Sequence, residues 1–158
     1  MIAVADTSPL CYLVLIDEID LLQALFSEVV VPPAVAAELS DPRAPAPVSA
    51  WWKEPPEWMR VEAPRPHAMP DVLERLHQAE REAILLTRDL DADVVILDEK
   101  AARQAAKSLE LPVIGLIGIL ATAAEQGRVD LLQAVERLRA TNFRVSPALI
   151  RDLLKRFG

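Results

Sequence analysis

Apolar residues fall along this chain in two alternating patterns. Four short, continuous runs at 2–5, 28–31, 94–97 and 112–115 are rich in Val and Ile, which predicts brief strands buried on both faces. Between them, apolar positions recur at helical spacing over 9–16, 19–26, 33–39, 71–90 (with a break near Gln78), 99–109 and 116–126. Alternating strands and helices predict an α/β, three-layer fold with a central, mostly parallel sheet flanked by helices. Two further helices are expected at 131–140 and 147–157, as a C-terminal helical extension.

The helix punctuation agrees. Ser8 suits an N-cap and Pro9 the first turn, where no N–H is needed. Pro32 and Pro33 start the next helix in the same way. Asp17, Glu18 and Asp20 begin another, where carboxylates complement the dipole. Gly127 suits a C-terminal cap.

Residues 42–70 break the alternation. Eight of the 13 prolines and all three tryptophans (Trp51, Trp52, Trp58) lie here. So aromatic a stretch reads as an ordered excursion, with a short helix at 48–53 and an extended piece at 59–62, its tryptophans packed on the body.

Length and composition narrow the picture. The 158 residues, 52% hydrophobic and 26% charged, fit one domain over 1–158 that needs no disulfide or structural metal to fold. A single cysteine, Cys11, excludes an internal disulfide or a Cys-based zinc knuckle and reads as a small buried hydrophobe. The two histidines, His67 and His77, read as structural or exposed and are too few for a His-rich metal site. No basic segment precedes Asp6, and the apolar run at 10–16 is far shorter than the roughly 20 residues of a membrane span, so a cytoplasmic protein with no membrane association is expected.

The net charge of −7 is unevenly distributed. Residues 1–42 hold seven acids and no Lys or Arg, whereas 128–158 hold seven bases against three acids. An acidic half beside a basic tail is compatible with nucleic acid, although the bases also suit ordinary solvated helix faces.

The chemistry concentrates in acids that follow strands. Asp6 follows Ile-Ala-Val-Ala, and Asp98 follows Val-Val-Ile-Leu with Glu99 next. In a parallel sheet both emerge at the carboxyl edge, where open α/β sheets place their sites. Adjacent carboxylates repel unless a hard, oxygen-binding cation compensates them. Glu38 is a further candidate, close to the end of the 33–39 helix. Glu80 and Glu82 sit about 200° apart on a helix, so only one of them can join, and Glu82, with Ala79, Leu85 and Leu86 around it, is the preferred one. Asp89, Asp91 and Asp93 match the start of an EF-hand, but Val94 and Lys100 stand where Gly and Glu are required. No GxSxG or P-loop motif occurs, and no second Asp follows Asp6 by two residues as a haloacid-dehalogenase-type phosphatase requires. A receiver-like phosphoacceptor lacks its mid-sheet Asp and later Lys.

In their order, these pieces resemble the PIN-domain nucleases, specifically a prokaryotic branch related to VapC toxins. The resemblance runs through Ala5-Asp6-Thr7-Ser8-Pro9-Leu10, Val31-Pro32-Pro33-Ala34-Val35 with Glu38-Leu39, and Ala79-Glu80-Arg81-Glu82-Ala83-Ile84. It continues in Leu97-Asp98-Glu99-Lys100, in Val113-Ile114-Gly115-Leu116-Ile117-Gly118 and in Asn142-Phe143-Arg144-Val145-Ser146. The resemblance implies a Mg²⁺- or Mn²⁺-dependent endoribonuclease in which Asp6, Glu38, Glu82 and Asp98 form the catalytic, metal-binding acids. It makes Glu80 and Glu99 auxiliary or alternative ligands, and Thr7 or Ser8 would orient a ligand or water. Lys100, Arg103, Arg139 and Arg144 would hold the RNA. It further implies a small protein antitoxin and a homodimer. The chain departs from the pattern at Ala79, where many relatives carry Gly, and at Glu82 and Glu99, where many carry Asp. The competing class is a catalytically degenerate module that binds RNA or a protein.

Overall fold

The computed structural model describes residues 1–66 and 68–157; the expectation for His67 lies outside them. Among the described residues, five strands form one all-parallel sheet: β1 (Ile2–Ala5), β2 (Glu28–Val31), β3 (Met59–Val61), β4 (Val94–Ile96) and β5 (Val113–Ile114), in the order β3-β2-β1-β4-β5. The helices are α1 (Thr7–Leu15), α2 (Leu21–Leu25), α3 (Pro33–Leu39), α4 (Ala46–Trp52), α5 (Gln78–Leu90), α6 (Lys100–Ser108), α7 (Leu116–Glu125), α8 (Leu131–Arg139) and α9 (Pro147–Phe157).

The period-2 geometry of a strand divides the buried side chains between the two faces of the sheet. Ala3, Ala5, Val29, Val31 and Ile96 pack into one core with Leu10 and Leu13 of α1, Leu22 of α2, Leu39 of α3 and Ile119 of α7. Val4, Val30, Val95 and Leu97 pack into the other with Ile84 and Leu86 of α5 and Ala102 and Ala106 of α6. Both faces are dry, which is why the strands read as unbroken apolar runs. The C-terminal helices α8 and α9 join the first core through Leu131, Leu138 and Leu153.

Several boundaries differ from expectation. Helix α1 starts at Thr7, so Asp6 and not Ser8 occupies the capping position; its side chain makes no cap bond. The cause is the strand: Asp6 still donates its N–H to the Ile96 carbonyl at 3.1 Å, and the chain turns directly from β1 into the helix. The predicted 71–90 helix breaks into a single 3-10 turn at Asp71–Leu73 and α5. The extended piece of the proline-rich excursion becomes an edge strand, β3, where Arg60 pairs with Glu28 and Glu62 and places charge on the open edge. Trp51, Trp52 and Trp58 are half-buried against the first core. Gly127 follows α7 with φ of 72°, the left-handed conformation of a helix end. No helix among the described residues is long and apolar enough to cross a membrane.

This strand order positions the site. The chain lays β2 and β3 on one side of β1, then returns to lay β4 and β5 on the other. Strand order therefore reverses between β1 and β4, and the carboxyl end of that pair is where such sheets open a crevice.

Candidate active site

Asp6 and Asp98 stand at this reversal. Asp6 is only 5% exposed, and its Oδ1 is buried with no hydrogen-bond partner. Asp98 is anchored on one side only: Oδ1 accepts the N–H of Leu116, at the start of α7, at 2.8 Å, while Oδ2 is buried without a partner. These are the only such side-chain atoms among the described residues. A buried carboxylate oxygen without a donor is costly, so its presence twice at one crevice calls for a ligand.

Electrostatics agree with the geometry. Burial pushes the Asp6 carboxyl up to about 7; the Thr7 N–H opposes this, while Glu80, Glu38 and Asp98 add to it. Burial likewise raises Asp98, opposed by the Leu116 N–H and the Arg103 guanidinium, with Glu99 raising it further. Glu80 is raised by burial against the pull of the His77 N–H.

The remaining acids divide. A cavity of about 300 Å³ is lined by Asp6, Thr7, Ser8, Glu38, Glu80 and Glu99, together with Cys11, Tyr12, His77 and Asn142. Thr7 Oγ1 donates to Glu38 Oε1 at 2.9 Å and so holds that side chain toward the cavity. Glu80 is 5% exposed, and its Oε1 accepts the His77 N–H at 3.1 Å, leaving its carboxylate between the helix start and Asp6. Placement favours Glu80 over the expected Glu82. Glu82 lies outside this cavity: Oε1 accepts the Ala34 N–H at 3.1 Å and Oε2 the Gln78 side-chain amide at 2.8 Å. It ties α5 to the start of α3. Glu80 is followed at i+3, i+4 and i+7 by Ala83, Ile84 and Thr87, all fully buried, which sets it on the inward side of α5.

A second cavity, of about 790 Å³, adjoins the first and holds Asp98 with Lys100, Arg103 and Arg144. Ser8, Tyr12, Glu99 and Asn142 line both. Three of the four bases expected to hold RNA therefore stand together beside the acids. Arg139 does not: it pairs with Glu136 at 2.9 Å and lines the groove between α8 and α9 with Ile150 and Leu153, because it lies on the outer side of α8.

Tyr12 was not expected at the site, and Cys11, expected as a buried hydrophobe, is only partly buried. Cys11 is half-buried on the acid cavity, its thiol pushed up to about 11 by burial and by Glu38 and Asp6, so it is no nucleophile at neutral pH. His77 is exposed and lines the same wall. The signal for Cys11 and Tyr12 was their position: four residues after Thr7 and Ser8, each lies one turn along the same helix face.

As the side chains stand, no three His, Cys, Asp or Glu among the described residues converge closely enough to hold an ion. The donor set nevertheless fits a hard divalent cation, with two unsatisfied carboxylate oxygens and exposed Glu38 and Glu99 able to rotate toward them. Asp91 and Asp93 lie in the turn from α5 to β4, with Asp91 left-handed at φ of 49°, while Asp89 stands in the last turn of α5.

A family model described as "DUF3368: PIN domain" matches residues 2–158. Among solved structures, the chain is similar to a PilT N-terminus domain protein from the hyperthermophilic archaeon Sulfolobus solfataricus P2. That likeness has 21% identity and a TM-score of 0.56, and it covers 79% of this chain and 95% of the other. At that identity it concerns the fold, which is the three-layer arrangement with a parallel central sheet described above. No curated protein matches the chain.

Proposed function

The chain belongs to the PIN-domain family, and on that premise we propose that it is a Mg²⁺- or Mn²⁺-dependent endoribonuclease. PIN domains are generally nucleases and typically use divalent metal ions. The observation that carries the reading is the pair of unpartnered buried oxygens, Asp6 Oδ1 and Asp98 Oδ2, beside a cavity lined by Lys100, Arg103 and Arg144.

Asp6, Asp98 and Glu80 would hold the cation from the buried side, with Glu38 and Glu99 closing from the exposed side. Bound there, a divalent cation lowers the pKa of water and neutralises charge on a phosphodiester. The Leu116 N–H fixes Asp98, so that carboxylate need not find its orientation during turnover, and Thr7 keeps Glu38 at the cavity from which it would close. Lys100, Arg103 and Arg144 would bind the phosphates of the strand adjacent to the cleaved bond. Four or five carboxylates with no required histidine suit Mg²⁺ or Mn²⁺ better than zinc.

The test is incubation of purified protein with a total RNA pool and Mn²⁺, beside Asp6→Asn. Cleavage by the unaltered chain alone supports the proposal, and equal cleavage by both overturns it. If neither cleaves, a Mn²⁺-induced rise in melting temperature that Asp6→Asn lacks still marks a metal site. Its absence supports the degenerate binding module instead. The reading includes a toxin role, a small antitoxin and self-association. Growth arrest on expression, relieved by a neighbouring gene product, and the mass in solution test those parts.

A further inference from the structure

The loop between α8 and α9 borders the site, packed on the first core through Phe143 and Val145 and tied to α1 by Tyr12. The Tyr12 hydroxyl donates to Asn142 Oδ1 at 2.8 Å, and the Tyr12 ring meets Phe143 edge-on with centroids 5.0 Å apart. Asn142 thus stands where the acid cavity passes into the basic one and lines both. Tyr12 bonds the amide's oxygen and so fixes which way the carboxamide faces, leaving both N–H donors to offer. Asn142 is exposed, and none of its neighbours takes those donors. Arg103, Arg144 and Lys100, which line the second cavity, are likewise donors without acceptor capacity.

We propose that Asn142 is a substrate-contacting residue whose side-chain N–H₂ donates to a phosphate oxygen of a single RNA strand as it passes from the acid cavity to the basic one. Tyr12 is the positioning residue that presents it. The inference rests on the nucleic-acid reading of the site. A strand that spans both cavities passes this loop, because Tyr12 and Asn142 line the two of them and Phe143 and Arg144 line the second.

Affinity for a fluorescein-labelled single-stranded oligouridylate, read by anisotropy in protein that carries Asp6→Asn to prevent cleavage, tests this directly. Asn142→Asp keeps the oxygen that accepts from Tyr12 but removes both donors and adds a charge that repels phosphate, so it is read beside Asn142→Ala, which removes the donors without adding charge. Binding should weaken by more than tenfold in Asn142→Asp and by roughly tenfold in Asn142→Ala, the loss of one hydrogen bond to a charged acceptor. In Asn142→Ala the salt dependence should stay unchanged, because a neutral donor releases no counterion. Arg144→Ala should lower the slope of log K against log salt by about 0.7. Tyr12→Phe, which keeps the ring contact with Phe143, should weaken binding about threefold by freeing the amide to rotate. Parental affinity in both Asn142 variants overturns the inference while leaving the nucleic-acid reading intact. Failure of the Asp6→Asn parent and of the unaltered chain to bind the strand overturns both.

Discussion

The two ends of the sheet treat their carboxylates in opposite ways. At the amino end, Asp93 Oδ2 accepts the Ile2 N–H at 2.6 Å while the Asp93 N–H returns to the Ile2 carbonyl at 2.9 Å, which staples the start of β4 to the start of β1. At the carboxyl end of the same two strands, Asp6 Oδ1 and Asp98 Oδ2 are buried and bonded to nothing. One chain thus provides donors for the acid that builds the fold and withholds them from the acids in the crevice. The withheld bonds are a standing cost that a cation would relieve, which separates a structural acid from a functional one without reference to sequence similarity.

The largest effect that could break this contrast is on turnover. Asp6→Asn should lower RNA cleavage by roughly a thousandfold, the several kcal/mol that a metal ligand contributes to the transition state. Asp93→Ala should leave cleavage near its original rate. Similar losses in both would make the distinction meaningless.

Stability against pH comes next, with the sign set by burial. The folded Asp6 carboxyl lies at about 7 against an ordinary 3.8, so the fold favours its protonated form. Its contribution is complete below about pH 4 and is lost as pH rises through 7, an effect on the order of a few kcal/mol. Asp98 and Glu80, shifted the same way, steepen the loss. In EDTA the protein should therefore melt at a higher temperature at pH 5 than at pH 8, and Asp6→Asn should flatten that difference. Mn²⁺ at a hundred times its Kd should restore about 2.7 kcal/mol at pH 8.

How much of this was legible depended on which interactions were local. Asp6 and Asp98 could be read directly, because an acid straight after a Val/Ile run must lie at a strand end. The central sheet followed for the same reason. The choice between Glu80 and Glu82 turned on where α5 begins: at Gln78, Glu80 falls in the first turn and reaches back to the His77 N–H, which no spacing rule without a boundary reveals. Strand β3 was visible only as an extended piece, since its partner is β2 and its flanks are prolines. Asn142 could be read only as part of the 142–146 resemblance. Its place over the site depends on a bond to Tyr12, 130 residues away.

That boundary yields the third effect. Glu80→Gln should reduce cleavage by tenfold or more and weaken the Mn²⁺-induced melting shift, because a carboxylate beside Asp6 is lost. Glu82→Gln should keep the metal response and change cleavage by about threefold at most, since an amide oxygen can still accept from the Ala34 N–H. The reverse pattern would restore Glu82 to the ligand set and require α5 to rotate.

The smallest effect sharpens the contrast most, because it works in the opposite direction. Asp93→Ala removes one acceptor from an exposed backbone N–H and should cost about 1 kcal/mol, or about 2–4 °C in melting temperature. Asp6→Asn at pH 8 without metal should instead raise the melting temperature, because it takes away a buried charge that has too few donors. Removing a charge at one end of the sheet then destabilises and at the other stabilises, and thermal melts of the two variants in EDTA measure both signs. A fall in both would mean that Asp6 is satisfied in the folded protein, and the crevice would lose its claim to a cation.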